Sequence, residues 1–430
     1  MQGVERLDVV IIGAGIGGIT ALYYAKRAGL SALVLEKQDV VGGLWARLPA
    51  WQDIQNNRYD WALGNLPIEG EDSASVAENI RAWVDEFDLA PSILLDTPVI
   101  RAKPVDGGWR VSTPGRDYLA RYLVSATGVH NRPVVPVIER HEPLVSELHS
   151  SALRDPDVLA GRDVVVVGGG ASAYDLLDLC FEHAARRVTW VYRSLKWMTP
   201  TRKPKHLAAD IRGLAKMQML DTPVEQMSRA VDQDLRARYE KFGIEAIRPK
   251  GDFDFRRDQL IPGRKRMIEN FGRIERHQGE VAGINGATVC LSSGERLGAD
   301  LLLWGTGYEM DLSYFDLPQL ARTRRTEDLA KRCGSLFVSL DAPNLYFLSP
   351  CLLEATSVSP WCYSIASRTI VSHMRGKATL GPEPVGDKLS YFDLARFLAP
   401  RDPGSFPAGW QAQYRQMLED HPEGTPLPIP

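Results

Sequence analysis

Asp8-Val9-Val10-Ile11-Ile12-Gly13-Ala14-Gly15-Ile16-Gly17-Gly18 decides how the rest of this 430-residue chain is read. Val9 to Ile12 is an unbroken β-branched run, the pattern of a strand buried on both faces. It meets glycines at 13, 15 and 18, and Ile19 to Ala28 then reads as a helix closed by Gly29. A second apolar run, Ala32 to Leu35, ends in Glu36. The spacing predicts a βαβ unit that holds a dinucleotide. Gly13 allows the tight turn, Gly15 admits a pyrophosphate close to the backbone, and Gly18 lets the helix sit against the strand. The pyrophosphate belongs at the helix N-terminus, over Ile16 and Gly17, where free N–H groups and the positive end of the dipole meet it. Glu36 then accepts from a ribose hydroxyl, with Lys37 beside it. Glycine makes up 37 of the 430 residues, so this glycine spacing alone arises by chance in roughly a quarter of such chains. The strand, the helix and the acid supply the specificity.

The same grammar recurs at Asp163-Val164-Val165-Val166-Val167, followed by Gly168-Gly169-Gly170-Ala171-Ser172-Ala173 and a helix expected from Tyr174 to about Ala184. The next strand, Val188 to Tyr192, ends in Arg193 and Ser194 rather than in an acid. A carboxylate there repels a 2′-phosphate and an arginine pairs with it, so this second loop is expected to take NADPH. Gly168, Gly170, Ala171 and Ser172 are its expected contacts. Lys196, Arg202, Lys203 and Lys205 follow closely; they either add positive potential or form a solvated loop. One dinucleotide is then held permanently and the other visits.

Length and composition bound what these loops serve. The chain exceeds one ordinary core, so two or three domains are expected. A hydrophobic fraction of 44%, a charged fraction of 24% and a net charge of −3 describe a globular protein with no call for nucleic acid or an anionic membrane. No run of about 18 apolar residues is present, and a cofactor motif starts within fifteen residues of Met1, so a cytoplasmic protein without a signal peptide is expected. Cys180, Cys290, Cys333, Cys351 and Cys362 are scattered, with neither a C-x-x-C pair nor zinc spacing, so no metal site is expected. Leu123 to Gly128 and Leu301 to Tyr308 are both apolar strands ending in a Thr-Gly turn. They mark where the chain is expected to leave the first domain and re-enter it. The expected fold is α/β with two Rossmann-like domains: 1–150 with 295–430 for the resident dinucleotide, which the resemblance described next implies is FAD, and 151–294 for NADPH inserted between them, with a helical insertion at about 197–276.

With these motifs in place the chain resembles the class B flavoprotein monooxygenases, which include the flavin-containing and the Baeyer–Villiger monooxygenases. The resemblance runs from about Leu7 to about Met374. It is carried by Gly13 to Gly18, Glu36, Gly42-Gly43-Leu44-Trp45, Ala126-Thr127-Gly128, His149-Ser150-Ser151, Gly168 to Ala173, Gly305-Thr306-Gly307-Tyr308 and Asn344 to Phe347. It implies FAD contacts at Gly43, Leu44, Trp45, Thr127 and Gly128, and further cofactor contacts at Thr306, Gly307 and Tyr308. It also implies that NADPH reduces the flavin and that one oxygen atom of O2 passes to a small molecule; nitrogen or sulfur is the expected acceptor, with Baeyer–Villiger oxygenation of a ketone as the alternative. His149 stands at the histidine of the family's linker motif, although Pro143 and Val145 replace the motif's Phe and Gly. It reads either as a catalytic residue or as a plain hinge histidine. Asn57 has the spacing of an amide near the flavin ring, with Gln55 and Asn56 as rivals and an Asx-rich turn as the other reading. Trp45, Trp51, Trp61, Trp361 and Tyr363 are candidates for an apolar wall around the flavin, or ordinary core.

His206 to Met219 and Glu225 to Phe242 carry apolar residues at helical spacing and read as two amphipathic helices. They suit a lid, part of a substrate pocket, or the surface of a homodimer. Two other function classes remain. A disulfide reductase shares the two-loop layout but needs a close cysteine pair facing the flavin, which this chain lacks. A sensor that binds both dinucleotides without turnover suits the altered linker around His149.

Overall fold

The computed structural model describes residues 5–54, 66, 68–203, 222–335, 337–348, 360–383, 391–406 and 408–420. Contacts divide the chain into two compact units. One draws on Met1–Asn131, Ile211–Thr222 and Glu309–Pro430, the other on Arg132–Asp210 and Pro223–Tyr308.

The first unit is a mixed α/β structure around β1 (Glu5–Ile12). Helix α1 (Ile16–Arg27) leads from it to β2 (Ala32–Leu35), which pairs in parallel with β1. Beyond β2 lies β3 (Ile93–Leu94), reached through α2 (Ser73–Glu86). On the other side of β1 is β6 (Asp117–Ser125), also parallel. The two halves of β6 have different neighbours. Asp117 to Ala120 pair with β5 (Gly108–Ser112), which forms an antiparallel ribbon with β4 (Arg101–Val105), whereas Leu123 to Ser125 pair in parallel with Leu345–Phe347. Val9 to Ile12 are buried on both faces, as the unbroken apolar run demands. Helix Pro360–Met374 packs on α1, and the hydroxyls of Thr20 and Ser367 meet at 2.8 Å in that contact.

The second unit contains a five-stranded, all-parallel sheet in the order Ile274–Gln278, Arg187–Tyr192, Asp163–Val167, Leu301–Trp304, Ser146–His149. Helix α3 (Ala171–Glu182) follows the central Asp163–Val167 strand. Its Asp175 forms a buried ion pair with Arg264, Nε to Oδ1 at 2.7 Å, with the side chains 9% and 2% exposed.

Several boundaries differ from expectation, each for a physical reason. Both glycine-loop helices start earlier than predicted, at Ile16 and Ala171, because glycines 17 and 18 lie inside the first helix and give it its close contact rather than ending it. The strand Ser146–His149, placed in the first domain from sequence, is an edge of the second unit's sheet, and so the division falls after Asn131 rather than after Ser150. Leu301–Trp304 likewise pairs with Asp163–Val167, which moves the return to the first unit to Glu309 rather than residue 295. The insertion expected to be helical includes the helix Val224–Lys241, close to the predicted span, but also a parallel strand pair, Trp197–Thr199 with Leu260–Pro262. Its end, Ile274–Gln278, is a sheet strand. The predicted helix His206–Met219 lies outside the described residues. No helix among the described residues is long and apolar enough to cross a membrane.

Candidate dinucleotide sites

Both glycine loops are built by the same set of backbone contacts. In the first, Gly13 N–H donates to Leu35 O at the end of β2, and Ala126 N–H, just past β6, donates to Ile12 O. In the second, Gly168 N–H donates to Val191 O and Gly305 N–H to Val167 O. Each loop therefore sits across the C-terminal ends of three parallel strands, where ligands of such sheets bind. The leading glycine is crowded in both. A Cβ on Gly13 would lie 2.7 Å from Ala126 O, and one on Gly168 would lie 2.2 Å from Gly305 O; both residues also have positive φ.

Gly18 has the least space of the first loop, since a Cβ there would fall 1.8 Å from Gly13 O. This is the close helix–strand approach expected from its position. Gly15 lies against Gly43, whose own Cβ would come within 2.9 Å of Gly15 Cα, and Gly42 N–H donates to Ala14 O at 3.0 Å. The segment Gly43-Leu44-Trp45 is thus brought to the loop, and Trp45 packs on the core. Tyr363 does the same from helix Pro360–Met374, with ring carbons 3.2 Å from where a Gly17 Cβ would stand. Trp61, Asn57 and the Trp361 side chain lie outside the described residues.

Glu36, 5% exposed, is the carboxylate of this loop. Its Oε2 accepts from Ala14 N–H at 2.6 Å and its Oε1 from Gln38 N–H at 2.9 Å. Lys37 next to it is exposed. Thr127 and Gly128 follow β6; there Ser125 Oγ meets Tyr314 Oη at 2.8 Å, and burial pushes the Tyr314 hydroxyl up to about 12. Tyr314 is not legible in the sequence, because an isolated tyrosine 189 residues from its partner carries no local signal.

The second loop is folded under the strand end that follows it. A Cβ on Gly169 would lie 1.8 Å from Ser194 O. Lys196 N–H donates to Gly169 O and Tyr174 Oη donates to Lys196 O, both at 2.9 Å. These bonds fix the Arg193–Lys196 segment over the loop. Arg193 itself is 77% exposed and pairs with Glu280 at 3.2 Å. Glu280 was not singled out from sequence, since it is brought there only by strand pairing. Lys196 is exposed, and Lys205 lies outside the described residues.

His149 and the Thr306-Gly307-Tyr308 turn come together in this unit. His149 Nδ1 accepts from Ser151 N–H at 3.2 Å, which leaves Nε2 protonated to donate to Gly307 O at 3.0 Å. Val134 N–H donates to the same carbonyl, and Thr306 Oγ1 donates to Val134 O. The Tyr308 ring meets the imidazole edge-on at 5.1 Å. Burial holds the His149 pKa below the ordinary histidine value, opposed by the bond to Gly307. Burial also raises the Tyr308 hydroxyl.

Both loops fit a bound dinucleotide. Neither α1 nor α3 has a side-chain cap at its glycine N-cap, and neither carries an acid in its first turn. The free N–H groups and the dipole at each helix start are therefore available to a pyrophosphate. The glycines supply the approach, and Glu36 and Arg193 stand at the two strand ends where a ribose and its 2′ substituent are read. No group of histidine, cysteine and acidic residues that could hold a metal ion occurs among the described residues.

Comparison with known proteins bears on this geometry. A family model described as pyridine nucleotide-disulphide oxidoreductase matches residues 10–234, a little over half of the chain. A probable indole-3-pyruvate monooxygenase, YUCCA10 of Arabidopsis thaliana, is 26% identical over 324 residues, covering 70% of this chain and 81% of that protein. A Baeyer-Villiger monooxygenase of Streptomyces coelicolor is 31% identical over 207 residues, 46% of this chain and 40% of that protein. The chain spans about half the length of most of the curated relatives it matches. The solved structure of OTEMO in complex with FAD and NADP superposes with a TM-score of 0.67 at 17% identity, covering 87% of this chain and 85% of that one. The fold is that of the flavin monooxygenases.

Proposed function

The chain belongs to the pyridine nucleotide-disulphide oxidoreductase family, and from that premise we propose that it is an FAD-containing, NADPH- and O2-dependent monooxygenase of a small molecule. The observation that carries the proposal is the repeated loop with opposite strand-end charges, Glu36 at one and Arg193 at the other. A carboxylate suits the ribose hydroxyl of FAD, and a guanidinium suits the 2′-phosphate of NADPH. The first unit is then the FAD-binding Rossmann-like domain, and the second, inserted into it, binds NADPH. Bound FAD supplies the redox chemistry with oxygen, while the protein holds and orients both dinucleotides and excludes water.

Within this reading the Gly13–Gly18 loop holds the FAD pyrophosphate, aided by Gly43, Leu44, Trp45, Thr127 and Gly128. Gly168, Gly170, Ala171 and Ser172 hold that of NADPH. His149 serves by position: Ser151 N–H holds its Nδ1, its Nε2 donates to Gly307 O, and its ring packs edge-on against Tyr308. A dithiol mechanism of the disulfide reductase kind is disfavoured because the two cysteines nearest in sequence, Cys351 and Cys362, are eleven positions apart and no C-x-x-C pair occurs.

The oxygen acceptor is read as a soft nitrogen or sulfur centre. Oxygenation of a ketone is the second reading, favoured by the Streptomyces relative named a Baeyer-Villiger monooxygenase. The test is turnover of purified protein with amines, sulfides and cyclic ketones, read as NADPH oxidation matched by oxygenated product. NADPH consumption that yields only hydrogen peroxide with all three classes would sink the monooxygenase reading.

A further inference from the structure

We propose that Glu280 moderates the coenzyme preference of the second loop, by competing with a 2′-phosphate for Arg193. The inference rests on the reading of Arg193 as the 2′-phosphate partner. It starts from strand register. Ile274–Gln278 lies beside Arg187–Tyr192 in parallel, with Tyr192 opposite Gln278. Both strands therefore end on the same rim of the sheet, the rim that carries the glycine loop. One residue further on, Gly279 N–H donates to Tyr192 O at 2.9 Å, and Gln278 Nε2 donates to Arg193 O at 3.2 Å. Ser292 N–H donates to Glu280 O from the other side. These bonds hold the Glu280 backbone next to Arg193, within reach of its guanidinium. The side chains meet at 3.2 Å, Nη1 to Oε1.

Both partners are largely exposed, 77% and 60%. An exposed pair of this kind is weak, so it does not block a ligand. A doubly charged phosphate at the same place displaces the single carboxylate, yet must first break the pair and then tolerate a negative neighbour. A 2′-hydroxyl meets neither cost. Glu280 thus narrows the gap in affinity between coenzymes with and without the 2′-phosphate, while Arg193 opens it.

The test uses the full-length purified protein and two small probes, adenosine 2′,5′-bisphosphate and 5′-AMP, which differ only by the 2′-phosphate. Binding is read by calorimetry for the parent, Glu280→Gln, Arg193→Ala and the double variant. Glu280→Gln should bind the bisphosphate about two- to fivefold more tightly, with 5′-AMP unchanged and the gain shrinking at high salt. The gain should vanish in the Arg193→Ala background. If Arg193→Ala weakens the bisphosphate selectively while Glu280→Gln changes nothing, the role of Glu280 is overturned and that of Arg193 stands. If Arg193→Ala weakens both probes alike or neither, the 2′-phosphate reading itself fails and the inference falls with it.

Discussion

At the scale of single residues, the proposed site rests on positions where no side chain fits and on two charged ones, Glu36 and Arg193, read as selecting the ligand. Gly18 is the extreme case of the first kind, because a Cβ there would lie inside the Gly13 carbonyl contact. Gly18→Ala should therefore cost about 1–3 kcal/mol, read as a lower urea midpoint. Gly15→Val should yield protein purified without FAD; a normal flavin spectrum would contradict its assignment. Arg193→Ala is expected to raise the KM for NADPH by the equivalent of about 1–3 kcal/mol and to leave that for NADH nearly unchanged. His149 gives a pH signature. Its pKa is depressed in the folded protein, so the unfolded chain binds the proton more readily as pH falls through the ordinary histidine range. Stability is present above that range and is lost below it. The fall in Tm from pH 8 to about pH 5 should be shallower in His149→Gln than in the parent; parallel slopes would exclude the buried neutral imidazole as a contributor. Glu36 and Arg193 were legible in the sequence because strand, glycine loop and helix fix the position of the residue that follows the next strand. The double engagement of His149 was not, since Gly307 stands 158 residues away.

At the scale of elements, the two strand–loop–helix units carry the fold, and their sequences declared them. A β-branched run followed by spaced glycines has few other outcomes. What the pattern left open was sheet membership at the edges. Ser146–His149 and Leu301–Trp304 are four residues each, and their pairing, Leu301–Trp304 with Asp163–Val167 and Ser146–His149 with Leu301–Trp304, assigns them to the second unit rather than their own composition. The docking of α3 was equally hidden, because Asp175 and Arg264 are 89 residues apart. Removing one partner of a buried pair leaves a charge in the interior, so Asp175→Ala should destabilise the protein by about 3–5 kcal/mol. Replacing both by apolar residues of similar size should cost far less. Urea unfolding of the single and double variants tests this, and equal losses would mean that the pair is not the main contact between α3 and the segment carrying Arg264.

At the scale of the whole molecule, one chain carries two dinucleotide loops whose strand ends differ in charge. The glycine loop at Gly13 is of a kind shared by many oxidoreductases. In the proposed reading its meaning comes from the second loop and Arg193, with the first loop holding a resident flavin and the second a coenzyme that delivers electrons to it. The most direct measurement is the visible spectrum of the purified, FAD-loaded protein on adding NADPH or NADH in buffer equilibrated with isotopically labelled oxygen, followed by mass analysis of an added amine or sulfide. NADPH should bleach the flavin band much faster than NADH does, the band should return as oxygen is consumed, and the product should carry one labelled oxygen atom. A flavin band that NADPH leaves untouched would contradict the pairing of the two sites.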